Sequence, residues 1–247
     1  MIKWLQTLKI SDIRNKVTRF IPRHCLFCLE KTHSHSDLCK SCIDSLALND
    51  NCCQRCATPM DHSIQQEIIL CGNCLSHHYH YDRVYSPYLY SEELSYLIRK
   101  FKYQKKVHFA QILSALFIER TSYLTDFQLP QAIIPVPMHN KRLRQRGFNQ
   151  ALALSRALAL HYQLPLNYNS LIRKRYTGLQ AGLLAVERQK NVRQAFAVKK
   201  PIAYNHIALI DDVMTTGSTA NEAAKALKKS GIAQVDVWTI ARAGMVS

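Results

Sequence analysis

Two adjacent carboxylates, Asp211 and Asp212, close the apolar run 207–210, and a small hydroxyl-rich turn, Thr215-Thr216-Gly217-Ser218-Thr219, follows them. Backbone N–H groups opening a helix, with the hydroxyls of Thr215, Thr216, Ser218 and Thr219 around them, can surround a phosphate dianion whose charge the helix dipole favours. Gly217 lets backbone and phosphate approach closely. Asp211 and Asp212, at a strand end, are placed to accept hydrogen bonds from vicinal ribose hydroxyls. The combination describes a 5-phosphoribose site. A capped helix after an acidic turn is the plainer alternative, which the strand, turn and helix context disfavours. No Gly-Lys-Ser/Thr follows the glycine, so this is not a Walker loop. A second loop, 135–150, also follows an apolar run and carries Lys141, Arg142, Arg144 and Arg146 with no acid among them. Such a cluster suits a pyrophosphate with its magnesium, or a nucleic-acid backbone. A solvated basic turn is the competing reading for any one of these cations.

All nine cysteines lie between Cys25 and Cys74. Eight form C-x2-C pairs: Cys25 with Cys28, Cys39 with Cys42, Cys53 with Cys56, and Cys71 with Cys74. Four thiolates in two such knuckles are the usual ligand set of a closed tetrahedral zinc, so the spacing predicts two structural zinc ions. A stretch this polar has little core of its own, and metal would supply much of its folding free energy. Interleaved pairing of the knuckles is the alternative. Cys52 is left over, either as a spare buried thiol or as a wider-spaced replacement for Cys53. The nearby His33, His35, His62, His77, His78 and His80 are expected mostly to face solvent, since eight cysteines already fill two sites.

These residues need rigid elements behind them. Leu94, Leu97, Ile98 and Phe101 recur at i, i+3, i+4 and i+7 and predict a helix, with a second at about 106–124. The runs 132–134 and 207–211 read as buried parallel strands, 149–162 and 219–229 as helices, and 234–241 as a final strand. Alternation of buried strand and amphipathic helix argues an α/β, doubly wound parallel sheet. In such sheets ligands sit at the carboxyl ends of the strands, where both loops lie. Composition divides the chain into a basic amphipathic lead-in at 1–24, a double zinc-binding module at 25–80 and an α/β domain at 81–247.

The formal charge of +16 survives correction for two tetrathiolate zinc sites, which leaves about +12. It favours a polyanionic partner, nucleic acid or a phosphorylated small molecule, over a merely solvated face. Arg99, Lys100, Lys102, Lys105 and Lys106 interleave with Tyr96, Phe101 and Tyr103, a pattern that can stack bases between phosphate-binding cations, although Phe101 also belongs to the apolar stripe. No apolar run approaches the roughly 18 residues a membrane-spanning helix needs, and the cation-studded first residues do not read as an export signal. A cytoplasmic location is expected.

The stretch 207–219 resembles the motif of type I phosphoribosyltransferases that binds phosphoribosyl pyrophosphate (PRPP). That resemblance implies a phosphoribosyltransferase domain over 81–247, with Asp211 and Asp212 as the catalytic, ribose-holding acids, the loop 215–219 on the 5'-phosphate, and PRPP bound with magnesium. The whole order is similar to the ComF family of competence proteins: tandem C-x2-C pairs, P-V-P, R-G-F-N-Q, a stretch 173–193 with Thr177, Gln180, Arg188 and Asn191, and D-D-V-x-T-T-G-S-T. The family implies handling of incoming single-stranded DNA alongside the DNA-uptake machinery. The alternative is a metabolic phosphoribosyltransferase acting on an amine or base.

Overall fold

The computed structural model describes residues 23–32, 37–60, 69–104, 108–176 and 191–244. Two compact units divide after Leu46. In the first, β1 (Arg23–His24) and β2 (Lys31–Thr32) pair antiparallel, and α1 (Lys40–Asp44) follows. Cys25 and Cys28 sit in the hairpin turn, where Cys25 N–H donates to Glu30 O at 2.8 Å and Leu29, at φ 62°, donates to Cys25 O. Cys39 caps α1, its Sγ accepting from Cys42 N–H.

The second unit opens by repeating this arrangement. Cys53 N–H donates to Thr58 O at 2.9 Å, Ala57 takes the left-handed conformation at φ 53°, and Cys71 precedes α2 (Gly72–Ser76). A left-handed residue other than glycine costs about 1 kcal/mol. That both turns accept it at the same offset from a cysteine argues that sulfur geometry, not backbone preference, fixes them. The division after Leu46 separates the two cysteine sets, so the second packs with the α/β body.

That body runs β3 (Arg83–Tyr85), β4 (Tyr88–Leu89), α3 (Glu92–Gln104), α4 (His108–Thr121), β5 (Ala132–Pro135), α5 (Asn140–Arg146), α6 (Gln150–Tyr162), β6 (Leu171–Arg173), β7 (Phe196–Val198), β8 (His206–Ile210), β9 (Val213–Met214), α7 (Ser218–Lys229), β10 (Gln234–Trp238) and β11 (Ala241–Arg242). The main sheet is parallel in the order β3-β10-β8-β5, and a smaller parallel sheet follows in the order β4-β11-β9. Three strands thus break for two residues and resume beside the same neighbours.

Strand side chains alternate between two covered faces, as expected when helices flank a parallel sheet on both sides. Val84, Ile134, Ile207, Leu209, Val235 and Val237 pack with Ala220, Ala223, Ala224 and Leu227 of α7 and with Phe196 of the β6-β7 hairpin. On the other face Trp238 meets Phe117, Phe127 and Tyr162, ring centroids 5.1–5.5 Å apart. The expected apolar stripe of α3 holds, with Leu94, Leu97, Ile98 and Phe101 each fully buried. Two expectations change. The final strand 234–241 breaks at Thr239 and Ile240, and the basic segment 135–150 is not a continuous loop, because His139 and the left-handed Gly147 bound α5 within it.

Candidate functional site

Asp211 and Asp212 fill the break between β8 and β9, at the carboxyl end of the sheet. The break's own backbone braces them: Asp212 N–H donates to Asp211 Oδ1 and Val213 N–H to Asp212 Oδ1, each at 2.9 Å. Burial, then the charge of Asp212, pushes the Asp211 carboxyl up to about 7. Lys102 reaches across from α3, its Nζ 2.7 Å from Asp212 Oδ2. Burial opposes the ammonium charge, but Asp212 and then Asp211 outweigh it, and the Lys102 pKa is raised.

The hydroxyl-rich turn enters α7 through Gly217, which lies at φ 75° and, as the N-cap residue, has no side chain to cap the helix. A Cβ there would stand 2.7 Å from Met214 Cε and 3.3 Å from the Tyr81 hydroxyl, so both conformation and space require glycine. Thr216 Oγ1 lies 2.8 Å from Ser218 Oγ and accepts from Ser218 N–H at 3.4 Å. Beyond that contact to Ser218, the first-turn N–H groups have no side-chain cap and are framed by hydroxyls, an arrangement suited to an anion.

A cavity of about 460 Å³ unites the acid pair and this turn. Five cations line it, Arg99, Lys102, Arg142, Arg146 and Arg173, against the two acids. The excess favours a ligand with more than one phosphate. Burial, then the charge of Arg142, lowers the Arg173 pKa. Gln150 and Thr239 also line this cavity, on residues 3% and 1% exposed, and their buried Nε2 and Oγ1 atoms have no hydrogen-bond partner among the described residues. Buried polar atoms left this way cost about 1–3 kcal/mol each, a cost that polar ligand atoms or water would relieve. A second cavity of about 780 Å³ shares Pro137, Met138, Asn149 and Arg173 with the first, and is otherwise lined largely by apolar side chains, among them Leu152, Ala153, Ala157 and Leu160 of α6 and Leu171 and Ile172 of β6.

The basic cluster separates by helix face. Arg142 and Arg146, four residues apart on α5, are half-buried against the acid-pair cavity, and Arg146 Nη1 donates to Gln150 Oε1 at 3.0 Å. Lys141 and Arg144 are exposed, with Lys141 Nζ over the Tyr176 ring at 4.9 Å. Lys102, read from sequence as part of an open basic run, is instead paired with Asp212. Phe148 is half-buried, its ring centroid 5.4 Å from that of Phe101. Arg99, Lys102 and Thr239 join the site from other elements without a motif to announce them, while Gln150 closes R-G-F-N-Q and Arg173 opens the stretch 173–193. The lead-in up to residue 22, His33, His35, His62, Lys105, Lys106, Thr177, Gln180 and Arg188 lie outside the described residues.

The cysteines form two separate sets, Cys25, Cys28, Cys39 and Cys42, and Cys53, Cys56, Cys71 and Cys74, with all sulfurs of a set within 4.8 Å. Cys28 and Cys39 Sγ lie 3.7 Å apart, and Cys56 and Cys71 Sγ 3.5 Å. Tetrahedral zinc with bonds of about 2.3 Å spaces its sulfurs by about 3.8 Å, so both sets fit. The pairing is sequential, not interleaved. Cys52 stays outside both sets, and burial pushes its thiol up to about 11. His77 and His78 are exposed, as expected, whereas His80 is half-buried beside α7, where its N–H donates to Asn221 Oδ1.

Residues 17–75 match the double zinc ribbon domain, which together with the sulfur geometry makes the two sets structural zinc sites. Competence protein F of Haemophilus influenzae is 34% identical over 91% of this chain and 99% of its own length. The DNA utilization protein YhgH of Escherichia coli K12 is 31% identical over 90% of this chain and 98% of its own. Competence protein ComFC of Bacillus subtilis is 26% identical over 64% and 63%. Among solved structures, a glutamine PRPP amidotransferase from B. subtilis complexed with ADP and GMP aligns at 14% identity over 53% of this chain and 24% of its own, with a TM-score of 0.32. The α/β parallel fold rests on the strand order described above.

Proposed function

This chain belongs to the ComF family of competence proteins, and on that premise we propose that it serves DNA uptake and utilization through a PRPP-binding site. The observation that carries the ligand assignment is the braced acid pair facing an uncapped, hydroxyl-framed helix start in one cavity. In this reading the N–H groups and hydroxyls of 215–219 hold the 5'-phosphate, and Asp211 and Asp212 accept hydrogen bonds from the ribose diol. Arg142 and Arg146 meet the pyrophosphate. Magnesium would arrive with PRPP, held by its phosphates and the acid pair, and would offset the charge gathered there. Lys102 keeps two neighbouring carboxylates from destabilising one another before the ligand arrives. The DNA-uptake reading extends to single-stranded DNA as a partner, and relatives named for competence and DNA utilization favour it over a metabolic transferase.

Titration calorimetry with PRPP and magnesium tests the site. Wild type is expected to bind, and Asp211→Asn with Asp212→Asn to lose binding while melting cooperatively. Equal affinity in the two proteins would sink the ribose assignment.

A further inference from the structure

Arg242 of β11 is 3% exposed, and no carboxylate lies within ion-pair distance of it among the described residues. Its guanidinium instead spans two sites. Towards the second cysteine set, Nε donates to Cys56 O at 3.0 Å and Nη2 to Thr58 Oγ1 at 2.9 Å, and that hydroxyl lies 3.0 Å from Cys56 Sγ. Towards the phosphate-binding turn, Nη1 donates to Met214 O at 3.1 Å, to Ala243 O at 2.9 Å and to Thr215 O. A buried cation is strongly unfavourable without a counter-charge. The negative charge at hand is the tetrathiolate zinc cluster, which carries about minus two.

Two of the four carbonyls that Arg242 grips, those of Met214 and Thr215, belong to the peptides whose N–H groups are those of Thr215 and Thr216. No cis peptide occurs among the described residues, and in a trans peptide C=O and N–H point in opposite directions. Gripping the oxygens therefore turns both N–H groups away from Arg242. Neither has an acceptor among the described residues. Two further ties join the same regions: the Tyr81 hydroxyl lies under Gly217, and Asn221 Oδ1 of α7 accepts from His80 N–H at 2.7 Å.

We propose that Arg242 is a positioning residue that couples the second zinc site to the phosphate-binding turn, so that occupancy of either site stabilises the other. The identity of the ligand rests on the phosphoribose reading above. The coupling itself is a statement about the turn's backbone and must be reciprocal.

Full-length wild type and Arg242→Gln are compared for zinc content, amide hydrogen exchange and calorimetric binding of ribose 5-phosphate. Arg242→Gln is expected to keep two zinc ions, to exchange 214–219 about tenfold faster with β5 unchanged, and to bind about tenfold more weakly. Saturating ribose 5-phosphate should slow transfer of one of the two zinc ions to a chromophoric chelator about fivefold in wild type and not in Arg242→Gln. Arg242→Lys, which keeps the charge and some donors, should restore part of the effect. Unchanged exchange at 214–219 in Arg242→Gln overturns the proposal, as does slowing of zinc transfer that persists in that variant. If Arg242→Gln fails to fold, Thr58→Val decides: faster exchange at 214–219 with both zinc ions retained supports coupling, and wild-type exchange overturns it. Failure of wild type to bind ribose 5-phosphate removes the phosphoribose reading instead, and the exchange measurements still decide the coupling.

Discussion

Asp211 is worth more to binding than to folding. Its ordinary pKa of 3.8 is raised to about 7, by burial first and by Asp212 second, so the folded chain retains a proton that the unfolded chain has released. Stability from this group is therefore full below the ordinary value and lost as pH rises through about 7. Asn at this position carries no charge to desolvate. Asp211→Asn should raise the melting temperature at pH 8 by roughly 2–4 °C, with the difference closing towards about pH 4. An equal shift at both pH values in thermal melts would show that charge burial is not the cause. The acid pair was legible in the sequence because both carboxylates, the turn and the helix start are contiguous and each has its own chemical reason. Lys102 was not, since its partner lies more than a hundred positions away and an exposed lysine and a paired one look alike in a basic run.

At the scale of elements, helices and parallel strands were legible where periodicity was strong: the α3 stripe at 94, 97, 98 and 101, the buried run of β8, and α7 after its glycine. The break in the last strand was not, because Thr239 and Ile240 are buried like their neighbours and differ only in pairing. The left-handed Leu29 and Ala57 were equally silent, since sulfur geometry imposes them on residues that do not favour that conformation. Helix α5 converts an undifferentiated basic segment into two faces, and the faces make separate predictions. Arg142→Ala with Arg146→Ala should weaken PRPP binding by about tenfold or more through lost charge-assisted contacts. Lys141→Ala with Arg144→Ala should leave it within about twofold, as exposed charges away from a site contribute little. Calorimetry giving equal losses in the two double variants would show that the helix face does not matter.

For the whole molecule, the surplus of cations is the feature that a small ligand cannot absorb, since the cavity uses five of them and two acids face those five. Among the described residues no helix is long and apolar enough to cross a membrane. The proposed partnership with single-stranded DNA should therefore show as electrostatics. Each phosphate neutralised releases condensed counterion, so the logarithm of the affinity should fall against the logarithm of salt by about 0.7 per contact. Tyr96, exposed with Lys100 Nζ 5.3 Å from its ring centroid, offers a base a stacking face without reading its identity. Lys141 and Arg144 point away from the cavity and can meet phosphates, so replacing both by Ala should weaken binding to all sequences alike and make the slope shallower by about 1.4. Lys102 is committed to Asp212, so Lys102→Ala should leave that slope unchanged while weakening PRPP. Gel-shift titrations across a salt series separate these outcomes: a Lys102→Ala slope as shallow as that of the α5 variant would place the DNA over the cavity mouth, and full wild-type slopes in both would move it to another face.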